Sequence, residues 1–355
     1  MGIIISGYDI SNYLEFPPKT HYIAHAPFSF PIFLGLGLLI FVTILPFIHR
    51  SGIFIIAKSD TNKKKGARFP WWGYAGLITG LVSWILAWTR FEWFSSLQLH
   101  TFLPLWLSYI LIVNALTQRR KGSCLMTKQP CSFLSLFPVS ISFWWFFEYL
   151  NRFVQNWYYV EMSEFTSLEY FLLASVSFST VLPAVLSTRE YLLSFPFFEK
   201  TFGTYVKLNP KSPKLLACVF FIISGSCLAC IGSFPNYLFP LLWVSPLIIV
   251  VSLQVMANEK HILSDLSEGR WTVVFASAVS ALICGFFWEM WNYFSHAKWI
   301  YSIPFVHHFQ LFEMPLLGYA GYLPFGLECA VIGEIMGKLC SARTKTVFFA
   351  NICVR

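Results

Sequence analysis

Two glutamates, Glu148 and Glu289, each stand three residues ahead of an asparagine, Asn151 and Asn292. Each pair is followed by a Trp-x-Tyr: Trp157-Tyr-Tyr159 and Trp299-Ile-Tyr301. A carboxyl can give or take a proton, and an amide three residues on shares its helical face and can orient it. Both glutamates close an apolar run, Trp145-Phe-Phe-Glu148 and Phe286-Phe-Trp-Glu289. An acid in such surroundings is costly, which makes it a functional candidate by default. A carboxyl kept protonated by an apolar site is a suitable general acid. A structural reading competes: Arg152 follows Glu148 at the favourable i,i+4 spacing, and Lys298 lies close after Glu289.

Further acids and imidazoles extend the candidate set. Glu169 and Glu313 open the next apolar segment after each Trp-x-Tyr, and His100 opens an earlier one. Glu328, in Pro324-Phe-Gly-Leu-Glu328, falls deep inside an apolar run. There it must be protonated or paired, as a reservoir of protons or as a neutral structural hydrogen bond. His21-x-x-x-His25 has ligand spacing and His307-His308 adds a pair, but one correctly spaced box is fewer than membrane di-iron sites carry, so no metal is expected. No phosphate-cradling glycine loop, Asp-rich diphosphate motif, GxSxG or HExxH is present, and no cofactor is expected.

The elements that must position these residues are membrane helices. Of 355 residues 56% are hydrophobic and only 12% charged, with a mean hydropathy of +0.61. Soluble proteins carry about 25% charged residues, so this surface is too apolar for water. Runs near the ~20 residues that span a bilayer recur. Nine spans are predicted, at 30–49, 73–89, 100–117, 132–150, 169–187, 215–233, 237–256, 271–291 and 313–337. The fold class is therefore all-α, a polytopic helical bundle forming a single integral membrane domain.

Alternate loops hold nearly all the lysine and arginine, including Lys63-Lys64-Lys65. The other side has only Lys19, Arg90, Arg152 and Lys298. The positive-inside rule then puts the N-terminus outside and the C-terminus in the cytoplasm. Asp9, Glu15, Glu92, Glu161 and Glu164 join the candidate acids on the outer side, making an acidic, aromatic-walled basin. The net charge of +8 is spread over inner loops and reads as topology and lipid contact, with no nucleic-acid footprint. Cys227-Leu-Ala-Cys230 lies among small residues and reads as helix packing.

The recurrence of Glu-x-x-Asn and Trp-x-Tyr predicts a duplication. Pro104-Leu-Trp106 and Pro240-Leu-Leu-Trp243 extend the match upstream, and Pro183 and Pro324 extend it downstream. Spans two to five (73–187) then correspond to spans six to nine (215–337), with one N-terminal helix added. An even number of spans per copy makes the copies parallel, and sites in such proteins often lie between them.

Phe287-Trp-Glu289-Met-Trp-Asn292 and Phe312-Glu-Met-Pro-Leu-Leu-Gly-Tyr-Ala-Gly-Tyr-Leu-Pro-Phe-Gly-Leu-Glu328 resemble uncharacterised bacterial multi-pass membrane proteins. The Trp-x-Tyr segments followed by an acid are also similar to membrane lycopene cyclase domains, whose chemistry is protonation of an isoprenoid double bond and ring closure. That resemblance implies roles for Trp299, Tyr301 and Glu313, and for Trp157, Tyr159 and Glu169. The chain departs from it in having four spans per repeat and no acid adjacent to Glu313.

The expectation is an integral membrane enzyme, in a bacterial inner membrane, acting on a lipidic, isoprenoid-type substrate by carboxylate acid-base chemistry at the outer face. Glu148, Asn151, Glu289, Asn292, Glu313 and Glu328 are the catalytic candidates. Trp157, Tyr159, Trp299, Tyr301, His100 and Glu169 are the substrate-facing ones. A proton-coupled transporter or cation channel is the alternative, and a membrane assembly subunit a further one.

Overall fold

Apolar runs become helices because a backbone in lipid must satisfy its polar groups within its own segment. The computed structural model describes residues 2–7, 9–57, 67–161 and 165–352; the Lys63–Lys65 run and Glu164 lie outside the described residues. The principal helices are α1 (Phe30–Ala57), α2 (Trp71–Trp88), α3 (Phe102–Lys121), α4 (Pro130–Asn151) and α5 (Ser167–Phe178). They continue with α6 (Val181–Leu192), α7 (Pro213–Cys230), α8 (Ser245–Met256), α9 (Thr272–Tyr293) and α10 (Tyr322–Ile352). Strand β1 (Trp157–Tyr159) pairs antiparallel with β2 (Trp299–Tyr301), and β3 (Gln310–Leu311) pairs with β4 (Met314–Pro315).

Among the described residues six helical segments are long and apolar enough to cross a membrane: 30–53, 130–151, 167–192, 213–230, 272–293 and 316–340. Two bent pairs bring the number to eight if each pair is one span. Glu92–His100 meets α3 at 65°, and Pro235–Leu242 meets α8 at 53°. The helix α2, one of the nine expected spans, is not in this set; its four tryptophans and three glycines dilute its aliphatic content. The outer faces of α1 and α2 expose Leu34, Leu38, Phe41, Leu77, Ile78 and Leu81, the surface a bilayer covers.

Three expected spans differ in detail. The segment 169–187 is two helices, α5 and α6. Pro183 has no N–H to continue the ladder, and the Ser140 hydroxyl enters the break, donating to Phe178 O at 2.5 Å and accepting from Leu182 N at 3.0 Å. The segment 237–256 is also broken ahead of α8, beside Pro240 and Pro246, and here the Glu328 carboxyl accepts from Leu247 N. The expected span 313–337 begins instead with the β3–β4 hairpin and a 3₁₀ turn over Leu316–Gly321, so α10 starts only at Tyr322. Phe312 at φ 58° and Pro315 oppose a helix there.

The helix α6 is buried from Val181 to Thr188 and packs on α3, α4, α9 and α10. Around it Trp106, Phe147, Trp288 and Phe325 form a dense aromatic core. The helices α9 and α10 approach most closely where Gly326 lies against Ser277. A Cβ on Gly326 would fall 2.1 Å from the Ser277 carbonyl oxygen, and one on Gly285 would fall 2.4 Å from the Tyr322 ring. Small residues that let backbones meet are the usual device of membrane bundles.

The N-terminal segment crosses the end of the bundle as a strap. Tyr22 N and Ile23 N both donate to Gln155 Oε1 at 3.0 Å. Ala26 N donates to Asn236 Oδ1, and Ser29 N to Phe305 O.

Candidate functional site

The last turns of α4 and α9 carry the two glutamates, and both are buried: Glu148 is 7% and Glu289 0% exposed. Glu148 Oε1 accepts from three side chains, Trp144 Nε1 at 3.0 Å, Trp157 Nε1 at 3.0 Å and Tyr159 OH at 2.7 Å. Glu289 Oε1 accepts from Tyr301 OH at 2.7 Å and Tyr322 OH at 2.6 Å, and Trp299 Nε1 in turn donates to the Tyr301 oxygen at 2.9 Å. Glu289 Oε2 is buried with no hydrogen-bond partner. Burial and the Glu148 carboxylate hold the Tyr159 phenol well above its ordinary pKa, and burial and Glu289 do the same to Tyr301. Both phenols therefore remain O–H donors at neutral pH.

The asparagines do a different task from the one their spacing predicts. Neither amide bonds to its glutamate. Asn151 Nδ2 donates to Trp157 O at 2.7 Å, and its Oδ1 accepts from Asn156 N at 2.8 Å. Asn292 Nδ2 donates to Trp299 O at 2.7 Å, and its Oδ1 accepts from Trp299 N at 3.0 Å. Each amide thus fixes the backbone of the Trp-x-Tyr strand, and the strand in turn brings its tyrosine to the carboxylate. Two residues ahead of each tryptophan the chain turns through a left-handed residue, Gln155 at φ 46° and Ala297 at φ 52°.

In the ribbon Trp157 stands opposite Tyr301, Tyr158 opposite Ile300 and Tyr159 opposite Trp299. The ribbon forms one wall of a cavity of about 630 Å³. Trp144, Trp157, Tyr159, Trp243, Trp288, Trp299, Tyr301 and Tyr322 line it, and Leu36, Leu39 and Ile40 of α1 close another side. Asn292 reaches its edge, whereas neither glutamate does. The carboxylates meet this space only through the phenol and indole groups bonded to them. A second cavity, of about 160 Å³, lies under the strap and does include Glu148 and Asn151.

The remaining candidates are dispersed. Glu313 pairs with Lys298 Nζ at 2.5 Å, so Lys298 is engaged there and not by Glu289. Arg152 likewise bypasses Glu148 and donates to the carbonyls of Tyr13 and Glu15. Glu169 accepts from Thr166 N at 2.9 Å, with Thr166 Oγ1 accepting from Glu169 N: a capping box at the start of α5. His100 ends the 3₁₀ turn before α3 and is exposed. Glu328 lines neither cavity; its Oε1 accepts from Leu247 N at 3.1 Å, occupying an otherwise unpaired donor in the first turn of α8.

His25 Nε2 donates to Val154 O at 2.7 Å, which leaves Nδ1 to accept from Ser302 Oγ at 2.6 Å. His21 packs edge-on to Tyr158, and His308 lies against Phe28 and Phe309. Among the described residues no three His, Cys, Asp or Glu side chains are grouped to hold a metal.

Sequence reasoning missed Tyr322, Trp144 and the strap. The i,i+4 spacing of Trp144 and Glu148 was available as a signal, but nothing local marks Tyr322 as a partner of Glu289. Compared with family models, with curated proteins and with solved structures, the chain finds no match.

Proposed function

We propose that this chain is an integral membrane enzyme that acts on an unsaturated, isoprenoid-type lipid by carboxylate–phenol acid-base chemistry. The observation that carries the reading is the ribbon: it brings both carboxylate-bonded tyrosines, Tyr159 and Tyr301, to one apolar cavity of about 630 Å³. Cavities of 300–1,000 Å³ with apolar walls and a few polar groups are the usual form of a small-molecule site. Here the polar groups are phenols and indoles backed by buried acids. They suit proton transfer to or from a substrate that otherwise offers only hydrocarbon.

Two such units facing one space suit a reaction that adds a proton at one carbon and removes one from another. The product is then an isomer, ring-closed or with a shifted double bond, of unchanged mass. Tyr322 and Tyr301 present the Glu289 unit, and Tyr159 presents the Glu148 unit. Aromatic faces also stabilise positive charge developing between the two steps. The α1 wall, apolar and exposed on its outer side, suits a substrate arriving from the bilayer.

The same reading includes the tandem four-span architecture, nine spans counting α2, with the N-terminus outside a bacterial inner membrane. In its support, each half has a helix, a bent pair, a helix ending in Glu-x-x-Asn, a Trp-x-Tyr strand and a final helical segment in the same order. The asparagine clamps, the left-handed residues and the tyrosine-to-glutamate bonds recur in both halves.

Untargeted lipid mass spectrometry on cells making wild type, Glu289→Gln, Tyr322→Phe or no protein tests the activity. A lipid whose retention changes at constant mass only with wild type is the expected result. No lipid difference would overturn the enzyme reading and turn attention to proton and cation flux in vesicles.

A further inference from the structure

The two carboxylates differ in one respect that their shared motif hides. Glu289 is wholly enclosed, and its Oε2 faces no solvent and no donor. Glu148 lines the small cavity under the strap. Its three side-chain donors all go to Oε1, leaving the other oxygen for that space. At about 160 Å³ the cavity accommodates roughly five waters at ~30 Å³ each. Its walls are polar enough to hold them.

The strap contributes Lys19, His21 and Tyr22 to the cavity. The end of α4 and the turn after it contribute Arg152 and Gln155, and the ribbon and its continuation contribute Tyr158 and Glu161. Tyr170 comes from α5. The Arg152 guanidinium is held by backbone carbonyls, so the positive charge stays near Glu148 without capping it. Tyr159, Trp157 and Tyr170 line both cavities, and the Tyr159 hydroxyl is already bonded to Glu148.

We propose that the small cavity is a water-filled proton port: Glu148 exchanges protons with solvent through it and, by way of Tyr159, with the occupant of the large cavity, while Glu289 is sealed from solvent. The second part rests on the large cavity being a substrate site; the first does not. A proton leaving the occupant goes to the Tyr159 oxygen as the Tyr159 hydroxyl proton passes to Glu148. The neutral carboxyl then loses one proton to water in the port and is a carboxylate again. Each step moves one proton and no electrons, and the reverse sequence supplies a proton.

The test is infrared spectroscopy of the purified full-length chain in lipid nanodiscs, stepped from H₂O to D₂O and titrated in pH, with no substrate added. Wild type should show a carboxyl band that responds within the mixing time. Glu148→Gln should lose that band and Glu289→Gln should keep it. Tyr159→Phe should shift its position, because one donor to Glu148 is gone. His21→Trp, which fills the port from its exposed side, should slow the exchange about tenfold, the effect of a modest added barrier.

A fast band that survives Glu148→Gln, or is lost with Glu289→Gln, overturns the port. If Glu148→Gln does not fold, unchanged exchange in His21→Trp overturns it alone. A fast Glu148 band indifferent to Tyr159→Phe overturns the relay and keeps the port. Because no lipid is needed, failure of the substrate reading leaves these outcomes intact.

Discussion

Tyr158 and Ile300 face each other at the centre of a three-residue ribbon, and the pairs on either side each join a tryptophan of one strand to a tyrosine of the other. Exchanging the two strands returns the same pattern, so the ribbon has a local twofold relationship centred on this pair. Each tyrosine turns back to the glutamate of its own segment, and the two acids consequently serve opposite ends of one short wall.

The asparagine clamps should carry measurable stability. Asn292→Ala leaves Trp299 N and O without their side-chain partner. Each buried backbone group so exposed costs about 1–3 kcal/mol. A lowered melting temperature in detergent, with altered tryptophan emission, is the expected outcome. An unchanged melt would mean that the ribbon holds itself.

The close approach of α9 and α10 gives a second expectation. Gly285→Ala would drive a Cβ into the Tyr322 ring, whose nearest atom would lie 2.4 Å away. Overpacking of this kind costs typically 1–3 kcal/mol. More informatively, the variant should reproduce the activity loss of Tyr322→Phe although it touches no polar group. Wild-type turnover in Gly285→Ala would show that Tyr322 need not hold its position.

The two phenols on Glu289 should act as a unit. Tyr301→Phe and Tyr322→Phe each remove one donor from the same oxygen, and each should lower turnover by about 10²-fold or more if proton transfer runs through them. Their combination should lose far less than the product of the single effects, because residues acting as a unit are not additive. Full additivity in a double-mutant cycle would separate the two tyrosines into independent roles.

His25 gives the strap a pH dependence. Desolvation lowers its pKa below the ordinary value of 6.5, with the hydrogen bond to Val154 opposing. A folded-state pKa below the unfolded one means that the neutral ring contributes stability above about pH 6.5. That contribution is lost as pH falls through the lower, folded value. The titratable groups that act on the ring are His307 and His21, and both oppose its charging. Protease nicking within residues 17–29 should rise on acidification, and His25→Gln should flatten the profile. A wild-type profile that is flat, or that reverses, would remove His25 from this role.

Glu148, Glu289 and the Trp-x-Tyr segments were legible because identical residue types recur at nearly fixed spacing. Spacing alone gave the wrong partner for the asparagines: i,i+3 geometry puts amide and acid on one face, but the nearest unsatisfied groups are the peptide units of the next strand. Glu313 looked like a helix opener, yet Pro315 and the left-handed Phe312 make a hairpin there, and its charge is answered by Lys298. Glu169 carried a readable capping box with Thr166 that competes with a site role. Tyr322 was not legible, since its reach to Glu289 depends on two glycines letting helices meet, a fact no local window contains. The burial of Glu328 was foreseeable, but not that the break before α8 would supply a backbone N–H to meet it.

The strap is made first and fastened last. His25 bonds to Ser302, which follows it by 277 residues in the chain. At the ~5–20 residues per second of synthesis, the ribosome needs roughly 15–55 s to deliver that serine. The part of the strap over Glu148 docks earlier, because Tyr22 and Ile23 bond to Gln155, a residue of the first half. The port is therefore walled by the strap and the first half alone, and the second half, through Ser302, adds the last fastening of a cover already in place.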